Sequence, residues 1–226
     1  MTNYIRTNEQ VYNQKFSEGW GSHYPDSNVI TIYHKYIKEN MPHNTPLKVL
    51  DFGCGRGTNL EVFSDMGFEV YGVDISSEAI KICHENTRFN SKRFIQMDVI
   101  NNQSLSNVFN EKFNVIIATV SLTYLKRDDI RKVIDQFNEC LEEGGVVIAS
   151  FFERQPAYNN EKDENGMMET TISNLDMKHY TFILEDKEEM RSLFKAFNEI
   201  TVGETKMIFS DFEVSTTYYI GSKMRK

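Results

Sequence analysis

The stretch Val49-Leu50-Asp51-Phe52-Gly53-Cys54-Gly55-Arg56-Gly57 sets three glycines at alternate positions behind an apolar run, with an aspartate two places ahead of the first. Glycines so placed let a backbone turn tightly, adopt positive φ and approach a ligand closely. A dinucleotide fingerprint would read GxGxxG. Here the spacing is GxGxG, and Thr58 stands where the third glycine belongs. The Asp51 carboxylate would repel a pyrophosphate lying against the loop and suits a ligand with a positive group, such as an ammonium. Two further acids stand in matching positions. Asp74, in Val70-Tyr71-Gly72-Val73-Asp74-Ile75, can accept both hydroxyl protons of a ribose. Asp98, in Phe94-Ile95-Gln96-Met97-Asp98-Val99, comes within reach of an adenine amino group. Backbone carbonyls at the end of Ile116-Ile117-Ala118-Thr119 can receive an ammonium. Plainer readings stand beside these: Asp74 as a helix cap, Asp98 as a turn cap, Gly57 as a helix-packing glycine and Cys54 as a small space-filler.

Such acids must be carried on strand ends, and the chain supplies the strands. Apolar runs at 47–52, 68–73, 93–99, 113–120 and 145–152 read as strands. Helical patterns lie between them: 58–66 with Leu60 and Phe63 inward, and 76–86 capped by Ser76 or Ser77 with Ala79, Ile80 and Cys83 on one face. A third opens at Asp128, carries Ile130, Val133, Ile134, Phe137 and Leu141, and stops at Gly144-Gly145. Continuous apolar strands alternating with amphipathic helices predict an α/β fold with a parallel sheet covered on both faces. The stretch 153–176 reads as a polar surface excursion. A short strand at 179–184, a helix over 185–197 and an antiparallel pair at 200–203 and 214–221 follow, and an N-terminal helix is predicted over 26–40.

The bulk composition narrows the partners. A formal net charge of −8 leaves no broad basic surface for nucleic acid. Cys54, Cys83 and Cys140 are odd in number and lack metal-ligand spacing, which suits a reducing cytoplasm and predicts no metal. No window approaches 18 apolar residues, so no membrane span is expected.

Over residues 47–152 the chain resembles the class I S-adenosylmethionine-dependent methyltransferases, because four successive strand ends carry the expected groups. The resemblance implies a doubly wound, seven-stranded, mostly parallel sheet of the Rossmann-like methyltransferase fold, with S-adenosylmethionine as cofactor. It implies that Asp51, Gly53 and Gly55 line the methionine part, that Asp74 holds the ribose, and that Asp98 and Val99 bracket the adenine. Asn59, Ile75 and Ala118 are also expected to bind the cofactor. It also implies one domain over 1–226: an N-terminal lid or helical segment at 1–45, a cofactor core at 46–152, and a substrate-side excursion with sheet-closing strands at 153–226.

The segment after the fourth strand, Ala118-Thr119-Val120-Ser121-Leu122-Thr123-Tyr124, lacks the proline pair of enzymes that methylate exocyclic amines or side-chain amides. No cysteine lies there for attack on a pyrimidine carbon. A small polar metabolite, accepting on oxygen or nitrogen, is the favoured substrate. Trp20 and Tyr24 are expected to line its pocket, with Glu153 and Arg154 placed to meet a polar group. His23, Tyr124 and His179, in that order, are candidate bases for an acceptor that must lose a proton. The rivals are an RNA methyltransferase, a non-catalytic cofactor-binding regulator and, disfavoured by Thr58 and Asp51, a nicotinamide oxidoreductase. Oligomeric state is open.

Overall fold

A computed structural model of the protein describes residues 4–42, 46–101, 104–153, 161–172, 177–208 and 213–224. Its centre is a seven-stranded sheet with strand order β3-β2-β1-β4-β5-β9-β8. The strands are β1 (Lys48–Phe52), β2 (Glu69–Asp74), β3 (Phe94–Gln96), β4 (Phe113–Thr119), β5 (Leu141–Phe152), β8 (Phe197–Ile208) and β9 (Glu213–Lys223). β1 to β5 pair in parallel, and β9 runs antiparallel to both its neighbours. The order reverses between β1 and β4, and ligands of such sheets sit outside the carboxyl ends at that point.

Alternation along each strand makes two cores. Val115 and Ile117 of β4 point to one face, with Leu60 and Phe63 of α3 (Thr58–Asp65) and Ile80 and Cys83 of α4 (Ser77–Glu85). Ile116 and Ala118 point to the other, where Ile130, Val133 and Phe137 of α6 (Arg127–Cys140) cover them. The helix starts have local causes. Gly57 caps α3 at φ +77, and the Ser76 hydroxyl accepts from the Ala79 amide at 3.2 Å to cap α4.

Several elements differ from the sequence reading. The predicted N-terminal helix is α2 (Ser27–Ile32), followed by a π turn at Tyr33–Ile37 and a 3-10 turn at Lys38–Asn40. Gly144-Gly145 does not stop α6. That helix ends at Cys140, and the glycines lie inside β5, where Gly144 takes φ +75 and the pairing with β4 slips between Phe113 and Val115. The third strand is only Phe94–Gln96. A short helix, α5 (Leu105–Phe109), follows it, unread in the sequence. The predicted 179–184 strand is β7 (Met177–Phe182), which pairs with β6 (Met167–Ile172) in a separate two-stranded sheet. The helix expected over 185–197 is α7 (Lys187–Leu193), and Phe197 already belongs to β8. Among the described residues no helix is long and apolar enough to cross a membrane.

Within the N-terminal lid or helical segment expected over 1–45, the helix whose bounds were not read is α1 (Tyr4–Ser17), which lies across the carboxyl ends of the sheet. Two asparagines fasten it. The Asn8 amide donates to the carbonyls of Tyr124 (3.2 Å) and Tyr180 (2.9 Å) and accepts from the Tyr180 amide at 2.9 Å. Asn13 Oδ1 accepts from the hydroxyl of Ser76 at 2.8 Å. Asn8 is only 3% exposed, so its loss strands backbone groups away from water. Asn8→Leu is expected to lower unfolding free energy by about 1–3 kcal/mol, read by urea denaturation. An unchanged midpoint would mean that α1 docks through other contacts.

Candidate active site

A cavity of about 280 Å³ opens at the carboxyl ends of β1, β2 and β4. Its floor is the glycine turn. Gly53 and Gly55 line it at φ +73 and +52. The amides of Gly53 and Cys54 both donate to the Val73 carbonyl, at 2.8 and 3.0 Å. A Cβ on Gly53 would stand 2.4 Å from Ser121 Cβ, and one on Gly55 3.2 Å from Phe16. Gly57 is a packing glycine: its Cβ would strike Phe89 at 2.7 Å. Cys54 and Cys83 are buried beneath the turn, and a mutual hydrogen bond, then burial, holds the Cys54 thiol well above its usual range. That fits the space-filling role.

Asp74, Ile75, Asp98 and Val99 all line the cavity. Asp74 Oδ2 accepts from the Gly55 amide at 2.8 Å and Oδ1 from the Ser76 amide at 2.9 Å. A carboxylate has about four acceptor sites, so acceptor capacity remains for a ligand. Burial raises the Asp74 pKa, and backbone bonds from Ser76, Gly55 and Ile75 oppose the rise. Asp98 also anchors a turn: Oδ1 accepts from the amides of Ile100 and Asn101, and Oδ2 from the Asn101 side chain at 2.7 Å. The cap reading and the ligand reading of Asp98 therefore describe one side chain.

Other expected residues stand elsewhere. Asp51 is buried in β1 and does not line the cavity. The Asn59 side chain bonds it and accepts from the Asp26 amide at 2.9 Å, joining β1, α3 and the start of α2. Ala118 is fully buried in the core; Thr119, Val120 and Ser121 form the wall one step further on. Val120 takes φ +51, a strained value for a β-branched residue, with its amide 3.1 Å from both oxygens of Ser150. The Ser121 hydroxyl is buried with no hydrogen-bond partner among the described residues.

Trp20, His23 and Tyr24 do not line the cavity. All three are exposed, Tyr24 at 79%, because α1 ends at Ser17 and Gly19 and Gly21, at φ +82 and +106, turn the chain away. α1 itself forms that wall through Ile5, Asn8, Tyr12 and Phe16. Their spacing of 3, 4 and 4 was the signal available in the sequence. Tyr124 lines the cavity with its ring 4.9 Å from Tyr12, and His179 stands behind it, 6.2 Å between ring centres. Burial, then the Lys15 charge, lowers His179 to about 4. Glu153 lies outside the cavity: its carboxylate accepts from the Thr217 hydroxyl. Arg154 falls outside the described residues.

The pattern of the family described as a methyltransferase domain matches residues 26–198. The chain belongs to the class I S-adenosylmethionine-dependent methyltransferases. A ubiquinone biosynthesis O-methyltransferase of Pelagibacter ubique is 28% identical over 147 residues, 59% of this chain and 59% of its own. A tRNA N(3)-cytidine methyltransferase of Gallus gallus is 26% identical over 107 residues, 45% of this chain and 29% of its own. The alignments thus span 29% to 59% of these two curated relatives' lengths. Among solved structures, the 1,6-didemethyltoxoflavin N1-methyltransferase of Burkholderia thailandensis shares the fold at TM-score 0.67 and 16% identity, covering 98% of this chain and 89% of that one.

In this methyltransferase the acid nearest the glycine turn in sequence is held neutral. Burial, aided by the charge of Asp74 and opposed by the Asn59 bond, lifts Asp51 from 3.8 to about 8. The folded chain keeps a proton there that the unfolded chain sheds near pH 4. The associated stability is complete below about pH 4 and is lost as pH rises toward 8. Asp51→Asn keeps a carbonyl facing Asn59 and removes the titration. It is expected to gain on the wild type by about 1–3 kcal/mol between roughly pH 5 and 8, measured by urea unfolding across that window. A constant difference would show that Asp51 does not titrate there.

Proposed function

We propose that the protein transfers a methyl group from S-adenosylmethionine to an oxygen or nitrogen atom of a small polar metabolite. One observation carries this: Gly53 and Gly55, Asp74, Asp98 and Thr119–Ser121, from four strand ends, share a single cavity. The cavity fits the cofactor. Its two acids have acceptor capacity to spare for ribose and adenine donors, Gly53 leaves no room for a Cβ, and the Ser121 hydroxyl, unpartnered among the described residues, offers a polar group. Gly53, Gly55 and Ser121 are assigned to the methionine part, Asp74 and Ile75 to the ribose, and Asp98 and Val99 to the adenine.

Bound there, the cofactor supplies a methyl group already activated by a sulfonium charge. The chain's task is then alignment and the exclusion of water. Tyr12, Phe16 and Tyr124 provide an aromatic wall for both. For an acceptor that must lose a proton, we assign the role to Tyr124, on the wall, backed by the neutral imidazole of His179. A small acceptor is supported by the net charge of −8 and by the modest cavity. The named chemistries of the ubiquinone and toxoflavin relatives, on oxygen and nitrogen, support it too. The tRNA N(3)-cytidine relative favours RNA as the second reading.

A metabolite library incubated with methyl-labelled cofactor is expected to yield at least one labelled small product, while bulk RNA stays unlabelled. Labelled RNA alone would establish the second reading. Asp74→Ala is expected to weaken S-adenosylhomocysteine binding in calorimetry by about 1.5–3 kcal/mol, roughly ten- to a hundredfold. Unaltered affinity would remove Asp74 from the ribose, and NADH binding in place of S-adenosylhomocysteine would overturn the reading.

A further inference from the structure

Lys15 lies on the flank of α1 that meets β7, three residues beyond Tyr12 and seven beyond Asn8. Its ammonium stands 4.7 Å from the centre of the Tyr12 ring and 5.1 Å from that of Trp20. Among the described residues, no carboxylate pairs with it and it donates no hydrogen bond. The contrast is with Lys48, Lys132, Lys162, Lys178 and Lys187, each of which has an acid within 2.8 Å. In a chain with 33 acids against 25 lysines and arginines, an unmatched, half-buried ammonium is conspicuous. Aromatic faces attract a cation through their quadrupole but leave its charge uncancelled.

His179 faces the same region. The Thr170 hydroxyl is 3.0 Å from Nε2, and burial together with the Lys15 charge keeps the ring neutral at pH 7. The Lys15 ammonium and the neutral His179 imidazole thus stand behind Tyr12 and Tyr124, which line the cavity where Lys15 and His179 do not. The opposite flank of α1 carries Asn13, turned toward Ser76 and the Asp74 end of the cavity. The two flanks of the helix therefore serve different parts of the site.

We propose that Lys15, with His179 beside it, binds a carboxylate carried by the methyl acceptor, so that the acceptor is a small organic monoanion with an apolar body. The proposal rests on the methyltransferase reading above. A carboxylate matches one ammonium charge. A phosphate dianion would bring a second negative charge toward a cavity already walled by Asp74 and Asp98. The apolar body is matched by the faces of Tyr12, Phe16 and Tyr124.

Trp20 is the only tryptophan, so its fluorescence reports on this place. The acid 3-phenylpropanoate and the neutral 3-phenylpropanamide are titrated in turn into wild type and Lys15→Met, each saturated with S-adenosylhomocysteine. The wild type is expected to bind the acid about tenfold more tightly than the amide or better, and Lys15→Met to lose that preference. Lys15→Gln repeats the comparison with a polar side chain. S-Adenosylhomocysteine affinity of both variants, read by calorimetry, is expected to stay within about twofold of wild type. Equal binding of acid and amide by the wild type, or a preference that survives in both variants, overturns the proposal. A loss of S-adenosylhomocysteine affinity of about tenfold in the variants also overturns it, by assigning Lys15 to the cofactor's own carboxylate. A wild type that binds no S-adenosylhomocysteine strikes the methyltransferase reading instead, and this proposal with it.

Discussion

Where β1 gives way to α3, the backbone folds over the end of β2 and is tied there. Two successive amides, Gly53 and Cys54, share the Val73 carbonyl, and the next free amide, Gly55, reaches the Asp74 carboxylate. Only residues without a Cβ can make this turn, since Gly53 and Gly55 both sit at positive φ and Ser121 and Phe16 press on them. The turn therefore sets the distance between three strand ends and the helix above them. The buried thiol of Cys83 donates to the Gly55 carbonyl at 3.3 Å and supports the turn from beneath. The glycine turn and Asp74 hold their places in the cavity through this one crossing.

Charge is distributed around the turn in a way that its sequence order conceals. Asp51 precedes the glycines directly, yet it is buried, neutral near pH 7 and occupied with Asn59. Asp74 and Asp98, carried further along the chain, face the cavity with part of their acceptor capacity unused. The two carboxylates that face the cavity are thus Asp74 and Asp98, while Asp51 belongs to the scaffold. On the far side of α1 the sign changes: Lys15 presents an uncancelled positive charge between two rings. One helix separates the acid-lined cavity from this cation.

The core was legible because strands buried on both faces read as unbroken apolar runs, as β4 does, and because Gly53, Gly55, Asp74 and Asp98 all fall at strand ends. Features set by single dihedral angles were hidden. The aromatic cluster at Trp20 and Tyr24 suggested a pocket, but Gly19 and Gly21 swing it into solvent. Ala118 missed the cavity because β4 continues through Thr119 and the chain bends at Val120. Gly144-Gly145 looked like a helix stop and proved to be a kink within β5. β8 is an edge strand with mostly exposed side chains, so its length left little apolar pattern to read. α1 was readable from Ile5, Asn8, Tyr12 and Phe16, but two of those four are polar or amphipathic, which blunts a purely apolar pattern.

The sheet is also assembled out of chain order. β8 is made before β9, yet it reaches the sheet only through β9, which pairs with β5 on one side and β8 on the other. Buried Tyr218, Tyr219 and Ile220 on β9 complete both cores. During synthesis, a ribosome carries β1 to β5 already able to pair while β8 waits as an orphan with nothing to hydrogen-bond. The nascent cofactor pocket can therefore form early, while the far border of the sheet closes only after residue 223 has cleared the exit tunnel.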